Sequence, residues 1–388
     1  MSRRAVVIDL VRSPFGKGRE GGALHGVHPV DLYAKVIQGL LRRTGIAPEL
    51  IEDVITGCVL QVAEQSGNIG RQAALAAGLP VTVPAVTIDR KCGSSQQSFD
   101  FAAQAIIAGA YDVVIAGGVE MMSTVPMRAN RLGKDNRGRL LSSRFPGLVD
   151  QGIAAELIAA RWQISRAEMD AFALTSHQRA ARAEDMGITA SMIVPVGSVS
   201  NDEGVRRDTS AAKLAALQPA FVRPEMRERF PQINWSVTAG NSSQVTDGAA
   251  AALIMEESVA QRLGLKPRAA ITYFAVLGDD PIMMLTAIIP ATRKLLDKAG
   301  LALSEIGAFE VNEAFASVVL AWLREMQVDP ALVNRYGGAI ALGHPAGASG
   351  GRLLGNLLAA LERDNRKFGI QTMCESGGMA NATLIERL

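Results

Sequence analysis

The sequence predicts an α/β fold made of two similar halves, with a long insertion in the first half. Apolar runs of strand length alternate with Ala-rich runs of helical periodicity, which is typical of an α/β protein with a buried sheet. The alternation occurs twice along the chain. Between residues 122 and 245 it gives way to loops rich in charges and prolines. A chain of 388 residues is too long for one ordinary core, so two or three packed units are expected.

The first half is predicted over residues 1–121 together with 246–268. It begins with a strand at 5–11 and a helix at 31–45, which ends at Gly45. The remaining elements of this half are predicted as strands at 53–60, 85–92 and 112–120, helices at 67–78 and 94–110, and buried sequence at 248–258.

The insertion, residues 122–245, is predicted to lie over the α/β body. Its clearest element is a helix at 165–187, because Ser165 and Glu168 have the spacing of a capping box.

The second half is predicted over residues 269–388. A small-residue turn opens a buried helix, and a strand closed by a Gly-Gly pair follows, both in residues 91–120 and in residues 345–379. This correspondence favours an internal duplication. The other predicted elements of this half are strands at 271–278 and 306–313, helices at 286–300, 314–326 and 353–361, and two closing strands within 369–386.

Composition and charge argue against several classes of protein. The net charge is only +2 and no basic run is interleaved with aromatics, so nucleic-acid binding is not expected. No run reaches the ~18 apolar residues of a membrane span, and the N-terminus lacks the features of a signal peptide. A cytoplasmic protein is therefore expected. Three cysteines and four scattered histidines favour neither a disulfide scaffold nor a structural metal site.

Cys92 is the first candidate for chemistry. It ends the predicted strand at 85–92, where the chain turns into the helix at 94–110. A thiol at a helix start lies at the positive end of the helix dipole, which favours the thiolate. The alternative is a buried cysteine that only fills space. That alternative is preferred for Cys58, which has no helix start beside it; for Cys92, position alone leaves both open.

His344 is a candidate general base. Glycine and proline flank it in a Gly-rich segment, and its ordinary pKa suits proton transfer near neutral pH. The alternative is a histidine that caps the following helix. The other three histidines lie in polar surroundings and are predicted at the surface: His25, His28 and His177.

Cys374 and Asn312 lie at the ends of predicted strands. Cys374 precedes a Gly-rich turn, where the backbone can approach a ligand closely and a thiol can exchange protons. Asn312 stands at a strand-to-helix junction, where it either caps the helix or holds a water or a carbonyl oxygen. Neither residue is decisive alone. No GxSxG, Walker or GxGxxG motif accompanies them.

Taken together, these segments resemble the thiolase family. The matching segments follow the family's order and span nearly the whole chain: CGSSQQ (92–97), AGGVEMMS (116–123), TAGNSSQVTDGAA (238–250), VNEAFA (311–316), GGAIALGHPAGASG (337–350) and CESGGMANAT (374–383). The likeness is nearest to bacterial acetyl-CoA acetyltransferases and 3-ketoacyl-CoA thiolases.

The resemblance implies a five-layered αβαβα fold, with the insertion covering coenzyme A. It also implies an acyltransferase that cleaves 3-ketoacyl-CoA by thiolysis or runs the reverse Claisen condensation. Coenzyme A is then a substrate, no other cofactor or metal is needed, and a homodimer or homotetramer is expected. Fatty acid or other lipid metabolism, including β-oxidation, is the expected setting.

The resemblance also implies residue roles. Cys92 is the nucleophile, His344 takes its proton, and Cys374 moves a second proton. Asn312 acts through a water together with His344, and the backbone amides of Cys92 and Ser376 form a second oxyanion site. The family positions that line the pantetheine are Ser243, Ala314 and Phe315.

The chain departs from the family pattern in two places. The usual Cys-x-Gly-Gly-Gly is here Cys-Glu-Ser-Gly-Gly at 374–378, and a frequent His-Met pair is replaced by Asp150 and Gln151. The second change lies near the acyl pocket in family members and leaves the acyl preference open.

Two other functions are alternatives to a thiolase. One is a ketoacyl synthase-like condensing enzyme, a class that typically lacks a second active cysteine. The other is an inactive lipid-binding scaffold.

Overall fold

A computed structural model describes residues 3–388, and Met1 and Ser2 of the predicted first half lie outside it. It contains ten strands, which form one continuous sheet in the order β4-β3-β5-β6-β1-β7-β10-β9-β8, with β2 paired to β6. The strands are β1 (Ala5–Arg12), β2 (Gly16–Lys17), β3 (Asp53–Gly57), β4 (Ala85–Ile88), β5 (Val113–Met121), β6 (Thr246–Glu256), β7 (Ala269–Gly278), β8 (Ile306–Val311), β9 (Phe368–Glu375) and β10 (Met379–Arg387).

The sheet order is nearly mirrored about the β1–β7 pair. In the first half, β1 is followed outwards by the last strand, β6, and then by β5 and β3; in the second half, β7 is followed by β10, β9 and β8. The outer pairs β3–β5 and β8–β9 are parallel, whereas the pairs nearer the centre are antiparallel. The same order in both halves is the structural counterpart of the repeat in the sequence.

Thirteen helices cover these strands within the described residues. They are α1 (Pro29–Thr44), α2 (Ile69–Ala76), α3 (Ser94–Ala108), α4 (Gly138–Arg144), α5 (Gln151–Arg161), α6 (Arg166–Asp185), α7 (Ala211–Ala215), α8 (Pro224–Arg229), α9 (Glu257–Arg262), α10 (Ile288–Ala299), α11 (Ala316–Met326), α12 (Ala339–Leu342) and α13 (Ser349–Arg363). Helices α3 and α13 contact each other and strands of both halves. Helices α1 and α2 lie against first-half strands, and α10 lies against second-half strands with α11 beside it. The α/β prediction is confirmed.

Local sequence explains where the main helices begin and end. Helix α1 ends at Gly45, whose φ of 67° is unfavourable for other residues. Helix α6 begins with the predicted capping box, in which Ser165 and Glu168 bond reciprocally to each other's backbone N–H groups. Helix α3 ends at Gly109 in the same left-handed conformation as Gly45.

The insertion supplies helices α4 to α8, and here one prediction is wrong. His177 is buried, not at the surface, because α6 packs against α7 and α12 and the Arg206 backbone contacts the imidazole ring. The Nδ1 atom of His177 accepts a hydrogen bond from the Arg206 backbone N–H, at 3.1 Å. Burial, and then the charge of Arg206, lower the pKa of His177 to about 4. Among residues 3–388, no helix is both long and apolar enough to cross a membrane.

Candidate active site

Cys92 lies in a tight turn between β4 and α3. The turn is closed by Ser94, whose hydroxyl accepts from the Arg90 N–H and donates to the Lys91 carbonyl. Lys91 has φ of 50°, an uncommon conformation for a residue with a side chain, and its N–H donates to the Asp89 carboxylate. The backbone around Cys92 is therefore fixed by short-range hydrogen bonds.

The thiol of Cys92 is neutral in this arrangement. Burial, and then a charge on the nearby Glu375, raise its pKa to about 12, against the opposing charge of Lys91. We expected the start of α3 to favour the thiolate, but desolvation outweighs the helix end here. Cys92 therefore needs a base that accepts its proton during the reaction.

His344 has the tautomer that a general base requires. The Ser349 hydroxyl donates its one hydrogen to the Pro345 carbonyl, at 2.8 Å. It must then accept from Nδ1–H of His344, which lies 2.6 Å away. Nε2 therefore carries the lone pair, and it is buried without a hydrogen-bond partner among the described residues. Burial and the charge of Arg352 lower the pKa of His344 to about 3, so the ring is neutral at rest.

The segment that carries His344 is held from both sides. Gly343 has φ of 99°, and a Cβ there would lie 2.4 Å from the Thr246 side chain, so only glycine fits. The His344 N–H donates to the Gln244 carbonyl at 3.0 Å, and the Gln244 side chain donates to the carbonyls of Ile340 and Ala341.

Asn312 follows β8 and presents an unpaired amide. Both polar atoms of its side chain are buried without a hydrogen-bond partner among residues 3–388. Its neighbour Glu313 explains its position: this buried carboxylate accepts from Ser176, from Asn334 and from the Ile340 N–H. These bonds tie the end of β8 to the loop that leads to His344.

Cys374 and Ser376 lie at the turn between β9 and β10. Cys374 is buried and pairs with Ala380 across the hairpin. Burial raises the pKa of the Cys374 thiol well above its ordinary value, and a charge on Cys92 raises it further. Gly377, in the turn after Ser376, has φ of 97°. The departure from the family pattern at Ser376 therefore keeps a glycine at the position that needs one.

Side chains that the sequence did not single out join these segments. The Gln96 side chain of α3 donates to the backbone carbonyl of Gln371 in β9, and the Gln371 side chain donates to Gln96 Oε1 and to the Gly350 carbonyl of α13. Glu120 accepts from the Gly347 N–H, near His344. Ser349 fixes the His344 tautomer. The only signal in the sequence for this role of Ser349 was its place five residues after His344, at a helix start. No such local signal pointed to Gln96, because its partner Gln371 lies 275 residues away.

The three residues expected to line the pantetheine also meet. The Ser243 N–H donates to the Ala314 carbonyl at 2.9 Å, and the Phe315 ring packs edge-on against Phe221, with centroids 5.9 Å apart. Phe221 in turn lies against Gly152, where a Cβ would be 2.2 Å from the ring. Ser243 precedes Gln244, so this cluster adjoins the His344 segment.

Asp150 forms an ion-pair cluster beside Gly152. Its carboxylate bonds to Arg128 at 2.9 Å and to Arg223 at 2.7 Å. Burial opposes the ionised form, but these two arginines outweigh it and hold the pKa of Asp150 below its ordinary value. In the described part of the chain no group of three or more His, Cys, Asp or Glu side chains could hold a metal ion.

Comparison with known families explains this arrangement. Residues 5–258 match the thiolase N-terminal domain and residues 265–387 match the thiolase C-terminal domain. The chain belongs to the thiolase family. As a thiolase it is an acyltransferase, and the predicted family and chemistry are confirmed.

Individual thiolases are similar over their whole length. A steroid 3-ketoacyl-CoA thiolase of Mycobacterium tuberculosis is 47% identical, with 99% of this chain and 94% of the relative covered. A 3-ketoacyl-CoA thiolase of Bacillus subtilis is 41% identical, with 99% of each covered. The crystal structure of the Bacillus anthracis acetyl-CoA acetyltransferase has a TM-score of 0.88 at 37% identity, covering 100% of this chain and 99% of that one.

These relatives bear on the fold and on the alternatives. The thiolase fold with its two duplicated halves and inserted segment is confirmed. Neither a carrier-dependent ketoacyl synthase nor an inactive lipid-binding scaffold finds support among them. Thiolases act on thioesters of coenzyme A, so acyl-CoA substrates follow for this chain.

Proposed function

We propose that this thiolase cleaves a 3-ketoacyl-CoA by thiolysis through an acyl-Cys92 intermediate. The observation that supports this most directly is the state of His344: its Nε2 is an unprotonated, unpaired base in a buried site. It accompanies a neutral thiol at Cys92, a second buried thiol at Cys374 and an unpaired amide at Asn312.

In the first half-reaction, Cys92 attacks the 3-keto carbon while Nε2 of His344 takes the thiol proton. The bond between C2 and C3 of the substrate breaks, and the acyl group stays on Cys92 as a thioester. The leaving fragment is the enolate of acetyl-CoA, whose oxygen is stabilised by His344 and by a water on Asn312. Cys374 protonates its carbon, so acetyl-CoA departs and Cys374 is left as the thiolate.

In the second half-reaction, a coenzyme A thiol gives its proton to Cys374 and attacks the acyl-Cys92 carbonyl. The backbone amides of Cys92 and Ser376 stabilise the tetrahedral oxyanion. Cys92 leaves as the thiolate and regains its proton from His344. Both cysteines and the histidine thus return to their starting states.

Binding of the substrate follows from the same neighbourhood. Ser243, Ala314 and Phe315 line the pantetheine, and the segment 122–245 covers coenzyme A, between a first half at 1–121 with 246–268 and a second half at 269–388. Coenzyme A is a substrate, and no other cofactor or metal takes part. The enzyme acts in the cytoplasm as a homodimer or homotetramer.

The acyl group is proposed to be long or bulky, and the setting is fatty acid β-oxidation or other lipid degradation. Two relatives are named 3-ketoacyl-CoA thiolases, one of them for steroids, which supports cleavage over condensation. Asp150 replaces the family's frequent histidine and is pinned by Arg128 and Arg223. The pocket wall near Gly152 should therefore differ from that of family members that carry the histidine, and the Phe221 ring packs against Gly152.

The nucleophile is tested with Cys92→Ser. We expect thiolysis to fall by about 10³-fold or more, because serine is a far weaker nucleophile beside a neutral imidazole. Acetyl-CoA should label the wild type at Cys92 and fail to label the variant. Cys58→Ala is the matched control, since Cys58 is the other thiol of this half and is buried, whereas Cys92 is half-buried. Labelling at Cys58 and none at Cys92 would disprove the mechanism.

The substrate is tested with a series of 3-ketoacyl-CoAs. Their acyl groups should run from four carbons to sixteen and include a sterol side chain. We expect kcat/KM to be higher for the bulky substrates than for acetoacetyl-CoA. The opposite order would contradict the proposed substrate class and point to acetyl-CoA condensation as the working direction.

A further inference from the structure

A buried carboxyl group, that of Glu375, lies beside the turn that carries Cys92 and forms no hydrogen bond within residues 3–388. Glu375, the residue after Cys374, is fully buried, and neither of its carboxylate oxygens has a hydrogen-bond partner in the described part of the chain. It lies directly against Gly93, the residue after Cys92: a Cβ on Gly93 would be 2.0 Å from Glu375 Oε1. A buried anion without donors is costly, so the group calls for an explanation.

Asn381 faces the same point. Its side-chain oxygen is also buried without a hydrogen-bond partner among residues 3–388, and it would lie 3.0 Å from the same Cβ on Gly93. The orientation of this amide is fixed, because its nitrogen donates to the Gly93 carbonyl, at 3.4 Å. The Asn381 oxygen and the Glu375 oxygen are thus two acceptors on one side of Gly93, with no donor between them.

A proton on Glu375 resolves this arrangement. An ionised carboxylate and an amide oxygen both accept, so their juxtaposition is repulsive. A protonated carboxyl can donate to the amide oxygen and satisfy both groups at once.

We propose that Glu375 works as a neutral carboxylic acid that donates to Asn381 and keeps negative charge away from the two reactive cysteines. It is a positioning residue, since it touches the Cys92 segment at Gly93 and not the substrate. The proposal rests on the role of Cys92 proposed above.

The charges around Glu375 agree with this assignment. Burial raises the pKa of Glu375 to about 8; Asp100 of α3 and Asp89 before the turn raise it, and Arg90 lowers it. Asp100 is itself buried, and burial raises its pKa to about 8, so it adds little negative charge near neutral pH. Arg90 is thus the one cation that acts on Glu375 in the described residues, and burial outweighs it.

The cysteines feel the charge of Glu375 when it ionises. After burial, Glu375 is the largest contributor to the raised pKa of Cys92, ahead of Glu120, while Lys91 opposes both. Glu375 also raises the pKa of Cys374, after burial and the charge of Cys92. Above pH 8 the ionised Glu375 should therefore hold back formation of the Cys92 thiolate.

The test is the pH profile of Cys92 alkylation by iodoacetamide, followed by mass spectrometry, in the wild type and in Glu375→Gln. Glutamine keeps a donor for Asn381 but cannot ionise. We expect equal rates within about twofold at pH 6.5, and a rate for Glu375→Gln that is roughly tenfold higher at pH 9.5, which corresponds to about one pKa unit on Cys92.

Two results would overturn the proposal. A faster rate for Glu375→Gln already at pH 6.5 would mean that Glu375 is ionised in the native enzyme. Identical rates across the whole range would mean that its charge does not reach Cys92. Glu375→Leu, which lacks both charge and donor, separates the two effects: it should share the high-pH gain and bind substrate with a raised KM, because Asn381 is left unpaired.

This test is independent of the proposed reaction. Alkylation needs no acyl-CoA, so it reports on Cys92 even where thiolysis fails. Full thiolase activity in Cys92→Ser would contradict the assignment of Cys92 as the nucleophile. The effect of Glu375 on the alkylation of Cys92 would still be valid as a property of the pocket.

Discussion

Each half of the molecule places a buried glutamate near the end of an equivalent strand, and the two glutamates have different surroundings. Glu120 lies near the end of β5 in the first half, and Glu375 ends β9 in the second half. Each lies against the start of the other half's central helix: Glu120 accepts from Gly347 before α13, and Glu375 contacts Gly93 before α3. The contacts with the helix starts are alike, but the hydrogen bonds are not.

The difference lies in the number of donors. Glu120 accepts from the backbone N–H groups of Val59, Leu60 and Gly347 and from the side chain of Gln65. Burial raises the pKa of Glu120, but these four donors favour its ionised form and oppose the effect of burial. Glu375 meets an acceptor and no donor. Two buried carboxyl groups in similar places thus differ in charge because their hydrogen-bonding surroundings differ.

Glu120→Gln is the strongest test of this contrast. The amide would turn two N–H groups toward two backbone donors, so we expect a loss of about 4 kcal/mol in the free energy of unfolding. Glu375→Gln should not lower stability at pH 7. Urea unfolding of both variants measures the difference, and a similar loss in both would contradict the assignment of opposite charge states.

The glycines that face the two carboxyl groups give a second test. A Cβ on Gly347 would lie 2.7 Å from the Val119 carbonyl and 2.8 Å from Glu120, whereas one on Gly93 would meet mainly the end of the Glu375 side chain. Backbone cannot yield as a side chain can, so Gly347→Ala should cost roughly 2–3 kcal/mol by thermal or urea unfolding. Gly93→Ala should destabilise the fold less than Gly347→Ala does. It should lower the activity more, because it displaces Glu375 beside Cys92. Equal stability losses would contradict this.

The stability of Glu375→Gln should also depend on pH in a definite direction. The pKa of Glu375 is raised from its ordinary value to about 8, so the folded wild type binds a proton that the unfolded chain releases. That contribution is complete below about pH 4.5 and is lost as the pH rises towards 8. Relative to the wild type, the variant should gain on the order of 2 kcal/mol between pH 5.5 and pH 8.5. A difference that stays constant with pH would show that Glu375 does not titrate on folding.

Sequence patterns predicted the elements because those depend on neighbouring residues. The capping box at Ser165 and the stop at Gly45 are local, and so is the turn that presents Cys92. Charge states depend on groups far away along the chain. The helix start at Cys92 suggested a thiolate, yet burial makes it a thiol, in a fold that brings Glu375, 283 positions later, against the next residue, Gly93. His177 looked polar and exposed, but its partner Arg206 lies 29 positions away.

The smallest expected effect concerns the contact that holds the two halves in register. Gln96 donates to Thr383 at 2.9 Å and exchanges bonds with Gln371, so the start of α3 is fixed against the hairpin that carries Cys374. The losses in unfolding free energy of Gln96→Leu and Gln371→Leu should add up to more than the loss of the double variant. We expect this coupling energy to be about 1 kcal/mol. Because the pair sets the separation of the two cysteines, the single variants should lower kcat more than they raise KM. Additive stabilities with an unchanged kcat would mean that the contact only fills space, and that the glutamates and glycines alone determine how the two halves meet.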